Sequence, residues 1–183
     1  HQSWFVVFRE LARPPAQSAP NFPPAKPLAE LTGSWEVTFP PDRGAPAKVV
    51  FDQLTDWTKR PEEGIQHFSG KATYQKMFEI PELKPSAALI LDLGNVRDIA
   101  TVRVNGKELA TLWTEPWSVD ITSAVKPGNN TLEVEVVNEW NNRLVGDAGL
   151  PPKERLTWVA SGRFKAKSPL LPSGLLGPVT LQI

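Results

Sequence analysis

At 183 residues, with 20 Lys and Arg set against 20 Asp and Glu, the chain is long enough for one full-sized domain and carries no net charge. That balance argues against nucleic-acid and membrane-surface roles, which leave a basic excess, and no apolar run approaches the roughly 18–20 residues of a membrane span. The complete absence of cysteine removes disulfides and thiolate metal sites.

Trp4 to Arg9 is apolar, β-branched or aromatic, and reads as a strand. Residues 11–30 hold Pro14, Pro15, Pro20, Pro23, Pro24 and Pro27 and read as an extended tether, because proline removes donors and fixes φ. The first ten residues then belong to, or lead from, a preceding domain, and a sandwich occupies residues 31–183. The chain opens on His1 rather than Met and reads as a fragment or processed product. The lack of cysteine agrees with a periplasmic or extracellular location, with any export signal outside the visible sequence.

Gly33 to Phe39 alternates, with Trp35, Val37 and Phe39 on one side, and Ala47 to Asp52 is a second short strand. A charged, turn-rich loop through Asp56-Trp57-Thr58 reaches Phe68. Strands follow at Ser69 to Ile80, Ala87 to Leu93 and Ile99 to Val104. Asn105-Gly106 is a type I′ hairpin signal, since both central residues need positive φ. Lys107 to Trp113 returns, then Trp117 to Ile121, Thr131 to Val137 and Val179 to Ile183. Helical periodicity is not sustained anywhere; Thr122 to Val125 allows a single turn. Nine or ten short strands with turn chemistry between them predict an all-β fold, an antiparallel β-sandwich of jelly-roll type. The long segment from Trp140 to Pro178 has little strand character, and loops of that length are usually functional.

Several motifs carry a family resemblance. Val104-Asn-Gly-Lys-Glu-Leu-Ala110, Trp113-Thr-Glu-Pro-Trp-Ser-Val-Asp-Ile-Thr122, Gly128-Asn-Asn-Thr-Leu-Glu-Val-Glu-Val136 and Ser173-Gly-Leu-Leu-Gly-Pro-Val-Thr-Leu181 resemble the galactose-binding-like jelly roll of glycoside hydrolase family 2. Phe5 to Arg9, Leu54-Thr-Asp-Trp57, Phe68 to Tyr74, Asn141-Asn-Arg-Leu-Val-Gly-Asp147 and Ser168 to Pro178 are more similar to the C-terminal region of the family 106 α-L-rhamnosidases. The resemblance implies an accessory sandwich appended to a larger exo-glycosidase. The catalytic carboxylates would then lie in a barrel outside this sequence, and the chain would not be an enzyme on its own. Its partners would be a plant-type oligosaccharide or rhamnoside and the catalytic domain of the parent chain.

The segment from Asn138 to Trp158 holds the main candidates. An indole can lie against the C–H face of a sugar, while amides, guanidinium groups and carboxylates bridge neighbouring hydroxyls. Asn138, Trp140, Asn141, Arg143, Asp147 and Trp158 are therefore the expected sugar-binding residues. Of these, Asn141 and Asp147 are the ones the family 2 resemblance favours. The alternative is that Arg143 and Asp147 pair to pin the loop while the amides cap its backbone, as in a purely structural inter-domain module. Trp57 and Trp117 are secondary candidates, each with a competing role in packing; Trp117 alternates with Val119 and Ile121, and Asp120 is placed to cap the turn at Thr122. No cofactor is expected. His1 and His67 are the only histidines, too few for a histidine metal cluster; Asp42, Asp52, Asp56 and Asp98 could contribute to a structural calcium site at a sandwich edge, but they do not have the spacing of a calcium loop.

Overall fold

The computed structural model describes residue 7 and residues 25–80, 88–160 and 162–183. The strand expected at Trp4 to Arg9 and most of the proline-rich tether lie outside the described residues. Two antiparallel sheets and a short third ladder build a β-sandwich. The larger sheet contains β2 (Trp35–Thr38), β3 (Lys48–Phe51), β4 (Lys71–Ile80), β7 (Ile99–Val104), β8 (Lys107–Leu112) and β10 (Gly128–Val137), in the order β3-β2-β4-β10-β7-β8. The smaller contains β1 (Pro27–Glu30), β5 (Ile90–Asp92), β9 (Ser118–Asp120) and β12 (Thr180–Gln182), in the order β1-β12-β5-β9. β6 (Asn95–Arg97) pairs with β11 (Gly174–Gly177).

Alternation along each strand sets the layers. In β10, Leu132, Val134 and Val136 point inward while Glu133 and Glu135 face out. β10 pairs with β4 over ten residues and with β7 over six, so it is the spine of its sheet. β7 follows the same rule: Ala100, Val102 and Val104 are buried, and Arg103 lies outside, bonded to Glu108 at 2.7 Å and Glu133 at 3.1 Å. These carboxylates hold the Arg103 guanidinium above its usual pKa. The smaller sheet answers with Leu89, Leu91, Leu93 and Leu181, and one apolar core joins the two faces. Lys76 departs from the inward alternation of β4. Its amine donates to the Ser34 carbonyl and lies 5.2 Å from the Trp35 ring centroid, and partial burial lowers its pKa.

The Asn105-Gly106 hairpin forms as its chemistry predicts, with φ of 51° and 78°. Asn105 also fastens that end of the sandwich: its Nδ2 donates to Ala124 O and Asn130 Oδ1, and its Oδ1 accepts from Thr131 N. Asp120 Oδ1 caps Thr122 N at 2.9 Å.

Three parts of the sequence reading need correction. The end of the supposed tether is an edge strand, with Lys26 N donating to Ile183 O and β1 pairing with β12. Its proline sits at the first residue of that edge strand, where no ladder bond is lost. The loop after Asp56 holds a 3-10 turn at Trp57–Lys59 and a short helix α1 (Glu63–Gln66). The segment from Trp140 onward is not all loop: α2 spans Asn141–Ala148, and β11 follows it.

Candidate functional site

The site region begins where β10 ends. Asn138 sits at the exit and turns inward. Its Nδ2 donates to Phe68 O and Ser173 Oγ, both at 3.0 Å, and its Oδ1 accepts from Gly70 N at 2.9 Å. The amide therefore stitches three separated segments. The helix α2 that follows has two asparagines, a glycine and an aspartate among its eight residues, a weak helical composition. Trp140 at its N-cap provides no side-chain cap bond. Tertiary bonds hold the helix instead. Asn142 Oδ1 accepts from Leu171 N and Asn142 Nδ2 donates to Leu171 O, both at 2.8 Å. Arg143 N donates to Ser69 Oγ at 3.1 Å.

Arg143 and Asp147 are one turn apart and both buried. Nε of Arg143 lies 3.1 Å from Asp147 Oδ1, a close ionic contact whose alignment is not that of a hydrogen bond. The other oxygen of Asp147 accepts from Thr157 N at 2.7 Å and Thr157 Oγ1 at 2.6 Å. The pair thus clamps the segment after α2 to the helix. Asp147 has both carboxylate oxygens committed inside the chain.

Trp57 is also an internal group. It is fully buried, its ring meets Phe39 and Phe68 edge-on at centroid distances of 5.7 and 5.5 Å, and its Nε1 donates to Tyr74 Oη. It offers no ring face to a ligand; of the two roles weighed for it, packing is the one it fills. Burial drives the Tyr74 phenol well above its usual pKa. Beside this cluster Arg60 forms a two-point pair with Glu62, which holds that carboxyl below its usual pKa. Trp117 is half-buried and packs against the core.

The open surface lies between the exit of β10 and the turn from β6 into β7. Asp98 N donates to Val137 O, and Asp98 Oδ2 accepts from Glu139 N at 3.1 Å. These bonds draw the Arg97-Asp98 turn against the start of the site loop. On one side is a concavity of about 300 Å³ lined by Arg97, Asp98, Glu139, Asn141, Asn142 and Leu171 among others. On the other is one of about 460 Å³ lined by Asn95, Arg97, Asp98, Trp113, Glu115 and Trp117 among others. Arg97 and Asp98 belong to both, so the two depressions flank one shared wall. Trp113 is 75% exposed. Arg97 is exposed and, among the described residues, makes no ion pair.

This arrangement unites Asn141 and Trp117 from the sequence expectations with two residues the expectations did not include as sugar-binding, Arg97 and Trp113. Asp98 is among the acids weighed for calcium and is not one of the expected sugar-binding residues. The signal available for Trp113 was its place beside Glu115-Pro116-Trp117; nothing in the sequence marks Arg97. Trp140 and Trp158 are solvent-exposed, at 56% and 86%, but neither lines these depressions. Among the described residues no group of three or more His, Asp or Glu side chains gathers in a metal-binding arrangement. Asp56, one of the acids considered for calcium, caps Thr58 N and accepts from Ser173 N, both at 3.0 Å.

The architecture, an antiparallel β-sandwich with a polar, tryptophan-bearing rim, agrees with the accessory domain of glycoside hydrolases that the sequence comparison identifies. Residues 52–162 match the family described as glycosyl hydrolase 2 galactose-binding domain-like, and the chain belongs to that family. It is 41% identical to the rhamnosidase of Novosphingobium sp. PP1Y, with a TM-score of 0.84 over 91% of this chain and 16% of that one. It is 42% identical over 178 residues to a Formosa agariphila protein named "Putative beta-glucuronidase", covering 84% of this chain and 15% of the relative. The β-D-glucuronidase of Dictyoglomus thermophilum shares the fold, with 20% identity and a TM-score of 0.60 over 84% of this chain and 27% of that one. The chain thus spans only about a sixth of the length of the first two relatives.

Proposed function

We infer that this chain is the non-catalytic accessory domain of a rhamnosidase-type glycoside hydrolase and meets carbohydrate at the wall formed by Arg97 and Asp98. The observation that carries this reading is the convergence at that wall. A guanidinium without an ion-pair partner among the described residues, an exposed indole at Trp113 and the half-buried amide of Asn141 line two adjoining depressions. The indole supplies an apolar plate for a sugar ring and the guanidinium supplies planar donors for its hydroxyls, while Asn141, whose Nδ2 already donates to Asn142 Oδ1 and Pro169 O, offers its Oδ1 as an acceptor. The chemistry suits either direct positioning of a saccharide or completion of a subsite in a catalytic neighbour. The rhamnosidase relative, similar over nearly the whole chain, supports a rhamnoside as the sugar. A parent that cleaves external polysaccharide would act in the periplasm or outside the cell.

Titrating the chain with L-rhamnose and following its amide spectrum tests direct binding. The reading predicts saturable shifts at Arg97, Asp98, Asn141 and the Trp113 indole. Unmoved resonances at tens of millimolar sugar would remove direct binding by the isolated chain.

One set of observations favours a second reading, in which the domain is purely structural. Asn138, Asn142 and Asp147 direct their polar atoms inward, to Ser173, Leu171 and Thr157. In that reading the loop is braced to pack against a catalytic domain, and the rim touches protein instead of sugar.

A further inference from the structure

Helix α2 presents Asn141 and Asn142 to the wall described above. Residues farther along the helix border a different depression. Arg143 and Gly146 line it, with Gly44, Glu63, His67 and Glu154 from other segments, and its volume is about 350 Å³. That lies within the range of small-ligand sites, roughly 300–1,000 Å³.

The Arg143 side chain is only 10% exposed, and its head is wedged between two glycines. A Cβ on Gly44 would come within 2.8 Å of Nη1, and a Cβ on Gly146 within 2.8 Å of Nη2 and 2.7 Å of the His67 ring. The absence of side chains at both positions makes room for the guanidinium. Its Nε is held by Asp147. Among the described residues neither Nη1 nor Nη2 has a hydrogen-bond partner, and neither is fully enclosed. A buried guanidinium with its fork unused has a strong preference for a pair of acceptors.

We propose that this cradle is a second saccharide subsite that takes the vicinal diol of a neutral sugar. Adjacent hydroxyl oxygens accept from Nη1 and Nη2, and the hydroxyl hydrogens are donated to the carboxylates at the rim. Charge selects neutral over acidic sugars. Asp147 already balances Arg143, and the rim adds Glu63 and Glu154, neither with an ion-pair partner among the described residues. A uronate carboxylate would meet an excess of carboxylates at the rim, whereas a diol both donates and accepts. The inference uses no residue of the Arg97-Asp98 wall, so either site can fail while the other stands.

The test is an amide and His67 ring titration of the 183-residue chain with L-rhamnose and, separately, D-glucuronate, each to tens of millimolar. The expected result is saturable shifts at Gly44, Gly146 and His67 with rhamnose and none with glucuronate. Glu63→Gln, at an exposed position, keeps an acceptor oxygen but loses the charge, and should weaken that response by about fivefold, the difference between a hydrogen bond to a carboxylate and one to a neutral amide oxygen. Arg143→Lys, which keeps the charge but not the fork, should abolish it. If Arg143→Lys does not fold, the Glu63→Gln comparison decides. Shifts confined to Arg97 and Asn141 would overturn the cradle and leave the wall intact. Saturation by glucuronate without rhamnose would overturn the neutral-diol assignment, and so would a rhamnose response unchanged in Glu63→Gln.

Discussion

Tyr74 Oη accepts the indole N–H of Trp57 at 2.5 Å and, from the other direction, the backbone N–H of Leu175 at 3.1 Å. One phenol oxygen therefore ties the loop after β3 to β11 through the middle of the larger sheet. Tyr74→Phe leaves two buried donors without an acceptor, each costing about 1–3 kcal/mol. Urea unfolding should show a loss of at least about 2 kcal/mol. The pH dependence should change as well. Because burial raises the Tyr74 pKa in the folded state, stability from this group is complete below the unfolded value of about 10 and is lost as pH rises above it toward the folded value. Tyr74→Phe should flatten that alkaline decline.

Gly174 backs onto the same pair. Its φ is +98°, and an added Cβ would press on Trp57 Nε1 and come within 2.7 Å of Tyr74 Oη. Gly174→Ala combines a disfavoured backbone with a clash, and each effect costs about 1–3 kcal/mol. Thermal melting should register a clear fall in Tm, larger than for Gly106→Ala, where an added Cβ has nothing within 4 Å to meet.

Asp147 is the clamp on the segment after α2. Asp147→Ala leaves the Arg143 guanidinium buried beside an empty position and releases Thr157. Breaking a buried pair by removing one partner costs about 3–5 kcal/mol. Limited proteolysis should then cut between residues 150 and 160 faster than in the parent sequence, before global unfolding.

Asn138 should behave as a structural residue. Asn138→Ala removes three hydrogen bonds, to Gly70, Phe68 and Ser173, and should lower stability by about 2–3 kcal/mol. In a titration with L-rhamnose, the shifts at Arg97 and Asn141 should persist wherever this variant stays folded.

The strands were legible where one rule acted alone. Trp35, Val37 and Phe39 alternate and are all buried, and Asn105-Gly106 could form few other turns. Helix α2 was not legible, because Asn141, Asn142, Gly146 and Asp147 have weak helical propensity and tertiary bonds to Ser69, Leu171 and Thr157 override it. Pro27 marked a tether because composition does not reveal which backbone edge is free. The site was legible only as a region. Amides, arginines and tryptophans in a loop are the same letters whether they face a sugar or brace the loop. Asn138 and Trp57 turned inward, Asn141 and Trp117 reached the rim, and Arg97 gave no signal because its unpaired state depends on what surrounds it in space.

The central claim is that the Arg97-Asp98 wall touches the saccharide. The most direct measurement is kcat/KM of the parent glycoside hydrolase on a rhamnoside, with Arg97→Ala and Asn141→Ala compared alongside their melting temperatures. Loss of one or two hydrogen bonds to substrate should lower kcat/KM by about tenfold in each variant, with Tm held within a few degrees. An unchanged kcat/KM in both variants, accompanied by a fall in Tm, would contradict the claim and assign the rim to inter-domain packing.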